Sequence, residues 1–204
     1  MEREKKFEEV NQAEFALASD AELEAVARLQ QENLGRNVSE DDKATQGFVS
    51  VETPMELLKK ISDEEGITVA RVDGKVAGYI MPITVEHGKH IPLLEPFIAR
   101  FKNIQVDGRP LAAYRHCIIG QICIDAQYRG QGIFEQLYQE LGVRLAQRYD
   151  VAITEVGANN PRSLHAHTKK AGLKVIEQYT ANGQDWYVLL LDFRPFRKLE
   201  LPAQ

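Results

Sequence analysis

The segment Gln121–Tyr138, QICIDAQYRGQGIFEQLY, constrains this chain more than any other stretch. An apolar, β-branched run enters a turn that holds Gly130 and Gly132. The turn passes directly into a helical pattern in which Ile133, Leu137, Leu141 and Leu145 recur at one face. Two glycines between a strand and a helix gather backbone N–H groups and the positive end of the helix dipole at one point. Arg129 adds a guanidinium at the mouth. Such a turn is either a phosphate cradle or merely a tight connection. The commoner nucleotide loops do not fit it: there is no GxxxxGK[ST], and no full GxGxxG with an acidic partner about 20 residues on.

The rest of the chain reads as helices and strands of one domain. Ser19 with Glu22 forms a capping box before Leu23, Val26 and Ala27, and Gly35 is the stop. A polar stretch, NVSEDDKATQGF, precedes a second helix with Thr53 as cap, Pro54 at the first position and Glu56 closing the box. Asp73-Gly74 and Asn182-Gly183 read as hairpin turns, and Asp107-Gly108 turns the chain into the long run LAAYRHCIIGQICI, a central strand. PLLEPFIARF reads as a short helix over the core and HGKH, with His87 and His90, as a loop. VAITEV is a buried strand, and Asn160-Pro161 starts a helix that ends near Gly172. The expected fold is one mixed α/β domain with helices packed on its sheet. Residues 1–14 are expected to be a charged peripheral segment and residues 15–204 the domain. The strand WYVLLLDF either lies at a dimer edge or completes the sheet, so a homodimer stays open.

Composition sets the class of partner. With 25 Lys and Arg against 30 Asp and Glu, the net charge of −5 argues against a general nucleic-acid binder or a polybasic membrane-surface protein. It mildly favours cationic or amine-bearing small molecules. No segment approaches the roughly 18–20 apolar residues of a membrane span, and MEREKKFEEV lacks the apolar centre of a signal peptide. Cys117 and Cys123, if on one regular strand, share a face roughly 20 Å apart and cannot bridge. Two unpaired cysteines point to a reducing compartment, hence the cytoplasm.

Gln127-Tyr128-Arg129-Gly130-Gln131-Gly132 resembles the Q/R-x-x-G-x-G/A signature of the GNAT N-acetyltransferase superfamily, and it stands between a strand and a helix as that family requires. A second element is similar as well: Glu155-Val156, Asn160-Pro161-Arg162-Ser163, His167, then Gly172-Leu173. The resemblance implies a largely antiparallel twisted sheet, with two central strands splayed after 124 and 156 into a V-shaped slot for acetyl-CoA. It implies that main-chain groups of Ile122 and Ile124 pair with the pantetheine arm. N–H groups from Arg129 through Gly130, Gln131, Gly132, Ile133 and Phe134 would bind the pyrophosphate beside Gln127, with Asn160 and Ser163 contacting the cofactor. No metal is implied. His167 stands where the family commonly has a Tyr that protonates the leaving thiolate, and an imidazolium is a chemically acceptable donor there. Two departures accompany it: one residue more than usual separates His167 from Gly172, and Phe134 replaces a small residue. No general base is marked.

Each candidate has a plainer reading. Asn160 is the natural N-cap before Pro161. His167, with His165, Lys169 and Lys170, also fits a solvated helix face. Glu155 ends a buried strand, where it is either paired structurally or a base acting through water. Tyr114, His116 and Gln121 are strand polarity or acceptor-pocket residues. Cys123 is a small core side chain, or a nucleophile with His116 or His167. The expected function is direct transfer of an acetyl group from acetyl-CoA to an amine of a small molecule or protein. The alternatives are a non-catalytic acyl-CoA-binding module, a thiol enzyme using Cys123, and a plain interaction domain. The acceptor is shaped by residues 36–62 and 86–113.

Overall fold

The computed structural model describes residues 13–198. Three of its antiparallel strand pairs are set by two-residue turns. Asp73-Gly74, Asp107-Gly108 and Asn182-Gly183 hold both residues at positive φ (51° and 72°, 50° and 74°, 53° and 72°). That is tight-hairpin geometry, which an Asp or Asn followed by Gly reaches with little strain. The turns join β2 (Thr68–Val72) to β3 (Lys75–Ile83), β4 (Gln105–Val106) to β5 (Arg109–Pro110), and β8 (Lys174–Ala181) to β9 (Gln184–Asp192).

With β1 (Glu14–Leu17), β6 (His116–Ile124) and β7 (Val151–Gly157), the main sheet has the order β1-β2-β3-β6-β7-β9-β8. Every neighbouring pair in it is antiparallel except β6 with β7. One face is covered by α1 (Leu23–Asn33), α3 (Met55–Glu64) and the 91–114 segment with its helix α5 (Glu95–Ala99), the other by α6 (Ile133–Leu145). This is the mixed, largely antiparallel class expected. WYVLLLDF completes the sheet: β9 lies between β7 and β8, and β8 is the edge. Of the charged segment expected over residues 1–14, residues 1–12 lie outside the described residues, and Glu14 begins β1. Among the described residues no helix is long and apolar enough to cross a membrane.

The sheet divides at its only parallel pair. β6 and β7 pair at His116↔Val151, Cys117↔Ala152 and Ile118↔Ile153, and there the pairing ends. The fork therefore opens well before residues 124 and 156, where the resemblance placed it. At the fork the Thr154 hydroxyl donates to the Ile119 carbonyl at 2.9 Å. The cause lies one strand over. The β3–β6 register shifts between Met81 and Pro82, leaving Gly120 as an extra residue. Pro82 has no N–H for the ladder, and a bulge bends the strand that carries the extra residue. The bulge also reverses side-chain parity. Cys117 packs in the α6-side core and Cys123 in the α1-side core, so the same-face expectation fails.

Local signals failed where tertiary partners took over. The polar stretch after Gly35 contains a helix, α2 (Glu40–Gln46), capped by Ser39, whose Oγ accepts from the Asp42 N–H at 3.2 Å. Thr53 does not cap α3: Pro54 holds that place without a side-chain bond, while the buried Thr53 N–H donates to the Gln30 side chain. His87 is not in a loop. It is buried in α4 (Val85–Gly88), with Nε2 2.9 Å from Glu64 Oε2.

Candidate active site

Two clefts meet at the fork. The first, about 770 Å³ with its open mouth included, runs from the Gly130–Phe134 turn to Ser163 and His167. Gly130 and Gly132 stand at φ +78° and +84°, and a Cβ added at either would meet nothing within 4 Å. Both glycines are thus required by backbone conformation, and both face open space. The first helical bond of α6 runs from the Gln136 N–H to the Gly132 carbonyl, and no side chain caps this terminus. Its leading N–H groups are left for an anion.

β6 supplies the inner wall. The Asp125 N–H bonds the Ala77 carbonyl of β3. By strand alternation the main-chain groups of Ile122 and Ile124 therefore turn away from β3 toward the gap. The Ile124 carbonyl there accepts from Arg129 Nε at 3.1 Å. The rest of the Arg129 guanidinium reaches Asn33 Oδ1 at 2.5 Å and Gln46 Oε1 at 3.3 Å. It lines the cleft while tying α1 and α2 to the turn. Gln127 and Gln131 are exposed and do not line the cleft.

The outer wall is the helix after β7. α7 (Pro161–His165) begins at Asn160, whose Oδ1 accepts from the Ser163 N–H at 3.2 Å and whose Nδ2 donates to the Phe48 carbonyl at 3.1 Å. Asn160 lines the second cleft rather than the first. Its side chain caps the helix and pins the Gly47–Val49 loop. The helix then widens into a π turn over Ala166–Lys170, where the Ala171 N–H reaches back to the Ala166 carbonyl at 3.1 Å. This turn absorbs the extra residue between His167 and Gly172, and Gly172 closes it at φ +73°.

His167 is 5% exposed and is not part of a solvated face. Its Nδ1 donates to the Ser163 carbonyl at 2.8 Å, and Phe134 and Tyr138 meet its ring edge-on at 5.3 and 5.7 Å. Burial lowers its pKa to about 4, so at neutral pH it is an uncharged imidazole. The expected imidazolium donor does not fit that environment. Arg162 and Lys170, which sequence reasoning did not single out for this cleft, stand at its outer rim. Lys170 also pairs with Glu135 at 3.3 Å.

The second cleft, about 700 Å³, opens on the other side of the fork and shares Phe48, Val49, Ile122, Ser163 and His167 with the first. Its charged group is Glu155, on β7. Burial raises the Glu155 pKa to about 7, against the hydrogen bond from the Tyr179 hydroxyl, which favours the carboxylate. Gln121 lies here too, with Oε1 accepting from Tyr79 at 2.5 Å and Nε2 donating to the Val51 carbonyl at 2.7 Å. Tyr114 and His116 do not: Tyr114 bonds the Val106 carbonyl, and His116 Nδ1 lies 3.0 Å from the Tyr114 carbonyl. Cys123 borders the first cleft, but burial pushes its thiol up to about 12, which argues against a thiolate nucleophile. Leu93, Phe97 and Trp186 complete the second cleft. No sequence motif marks them, because they come from segments far apart in the chain.

A family model described as the acetyltransferase (GNAT) family matches residues 24–173. No curated protein sequence matches the chain. Among solved structures, an N-acetyltransferase from Staphylococcus aureus Mu50 superposes with a TM-score of 0.59 at 19% identity, covering 90% of this chain and 99% of that one. The ribosomal-protein-S18-alanine N-acetyltransferase of Escherichia coli gives 0.56 at 14% identity, covering 89% and 94%. yncA of Salmonella typhimurium, solved with its cofactor acetyl-CoA, gives 0.56 at 14% identity, covering 90% and 95%. The fold is common to all three, and the family match spans well over half of the chain and every residue lining the two clefts except Trp186: the chain belongs to the GNAT acetyltransferase family.

Proposed function

We propose that this protein transfers an acetyl group from acetyl-CoA to a primary amine by direct transfer in a ternary complex. The observation that carries the reading is the meeting of two clefts at the β6–β7 fork, with an anion-ready turn on one side and the Glu155 carboxylate on the other. The residues present fit the donor. The glycine turn and the uncapped start of α6 suit a pyrophosphate, and the gap-facing main chain of Ile122 and Ile124 suits an amide-bearing arm. Acetyl-CoA supplies the activated acyl group. The free thiols of Cys117 and Cys123 suit a reducing cytoplasm.

Glu155 is the base. A carboxyl with pKa about 7 is ionised often enough to take a proton from an ammonium and protonated often enough to release it to water. Main-chain N–H groups at the fork stabilise charge developing on the acyl oxygen. His167, neutral and pinned by Ser163, shapes the wall shared by both clefts. The leaving sulfur takes its proton from the amine nitrogen, which sheds two protons in becoming an amide.

Calorimetry with acetyl-CoA and CoA tests the donor half, with Gly130→Asp as the control. That change puts a carboxylate at a φ that L side chains rarely adopt, in open space where the fold has room for it. Micromolar binding by the wild type, weakened at least about 100-fold in the folded variant, is expected. No binding by the folded wild type overturns the transferase reading. Binding without thiol release across a broad amine panel favours the non-catalytic module instead.

A further inference from the structure

The second cleft has an uneven chemistry. Phe48, Val51, Leu93, Leu94, Phe97 and Trp186 give it apolar walls, and neither Lys nor Arg lines it. Apart from Ser50 at the mouth, its polar side chains are bonded to the protein. Gln121 is held by Tyr79 and the Val51 carbonyl, Thr154 bonds Ile119, Asn160 caps α7, and His167 bonds Ser163. Glu155 alone carries charge there, anchored through one oxygen by Tyr179. Of the cations around it, Arg100 pairs with Glu177 and stacks on the Tyr179 ring, Arg36 pairs with Glu52, and Arg162 lines the first cleft instead.

We infer that the acceptor is a monoamine on an apolar, otherwise uncharged body, of the arylalkylamine or alkylamine class, seated with its ammonium toward Glu155; this rests on the transferase reading above. An acceptor carboxylate or phosphate would enter a cleft with no cation to meet it, and a second ammonium would lack a free carboxylate. The apolar walls reward a ring or chain instead. In the complex, R–NH3+ gives one proton to the Glu155 carboxylate, which passes it to water. The nitrogen forms the C–N bond as the C–S bond breaks, and its second surplus proton goes to the sulfur: R–NH3+ + CH3CO–S–CoA → R–NH–COCH3 + HS–CoA + H+.

The test compares 2-phenylethylamine with phenylalanine, which adds a carboxylate to the same ring and amine, and with putrescine, which exchanges the ring for a second ammonium. Thiol release from acetyl-CoA gives kcat/KM. Trp186, the chain's single tryptophan, reports acceptor binding by its fluorescence with CoA present, independently of turnover. Expected is a preference of at least about 100-fold for 2-phenylethylamine over both others. Ser50 is exposed at the mouth of this cleft, and Ser50→Arg should improve phenylalanine relative to 2-phenylethylamine by about 10-fold. Phenylalanine or putrescine used as well as 2-phenylethylamine overturns the inference. So does acetyl-CoA binding with neither turnover nor a Trp186 response to 2-phenylethylamine. Absence of acetyl-CoA binding overturns the transferase reading first, and this inference with it.

Discussion

The two clefts are built from different materials. The first cleft, the proposed donor site, depends on backbone features: a glycine turn, an uncapped helix start and the gap-facing edge of β6. The second, the proposed acceptor site, is walled by side chains brought from residues 48–51, 93–97, β6, β7 and β9. Backbone machinery needs particular residues only where φ or space demands them, so it leaves a short motif. Side-chain machinery depends on what packs beside what, and leaves none. The difference also predicts how each cleft should respond to substitution.

The largest effect is expected on the side-chain half. Glu155→Gln keeps the shape and removes the proposed base. It should lower kcat by about 100- to 1000-fold, abolish the acidic limb of the rate profile near pH 7, and leave acetyl-CoA affinity within about 2-fold. A donor affinity that fell with the rate would show that the two clefts are not separable in this way.

Tyr179→Phe comes next. The phenol donates to the Glu155 carboxylate and favours its ionised form, so its loss raises the Glu155 pKa. Activity rises with pH as Glu155 ionises, so the acidic limb should move to higher pH by about one unit, with the plateau rate nearly kept. An unmoved limb would separate Tyr179 from the base and reduce it to packing.

Asn160→Ala probes the residue that joins the halves. It loses both the cap of α7 and the bond to the Phe48 carbonyl. A cost of about 1–2 kcal/mol corresponds to a Tm lower by about 2–8 °C in a calorimetric scan. An unchanged Tm would mean that this bridge contributes no net stability.

The smallest effects belong to the donor side chains. Gln127→Ala and Gln131→Ala should change acetyl-CoA affinity by no more than about 2-fold by calorimetry, since both side chains are exposed and away from the cleft. A 10-fold loss in either would mean that the turn binds with side chains after all. Cys123→Ala should likewise leave the rate within about 2-fold, because burial keeps the thiol protonated.

How much of this could be read beforehand follows the same division. The Asp73-Gly74 and Asn182-Gly183 hairpins, the central strand from His116 onward, α6 and the cap at Asn160 each rest on neighbours in sequence, and their residues carry the geometry themselves; Asp107-Gly108, read as a turn into that strand, instead closes the small β4–β5 hairpin. Thr53 shows the converse. Its cap signal was sound locally, yet Gln30 from α1 took its N–H and the side chain was buried elsewhere. Gly120 could not be read as a bulge, because its cause is Pro82 on the adjacent strand.

The sequence by itself determined where a strand meets a helix through Gly130 and Gly132, and hence which family the chain resembles. Those glycines are needed for positive φ, a property of single residues. Only the tertiary structure decided where the sheet forks, that His167 is buried and neutral, and that Glu155 faces an apolar cleft with its pKa raised toward neutrality. Burial and charge pairing are sums over neighbours from the whole chain, so no local pattern records them.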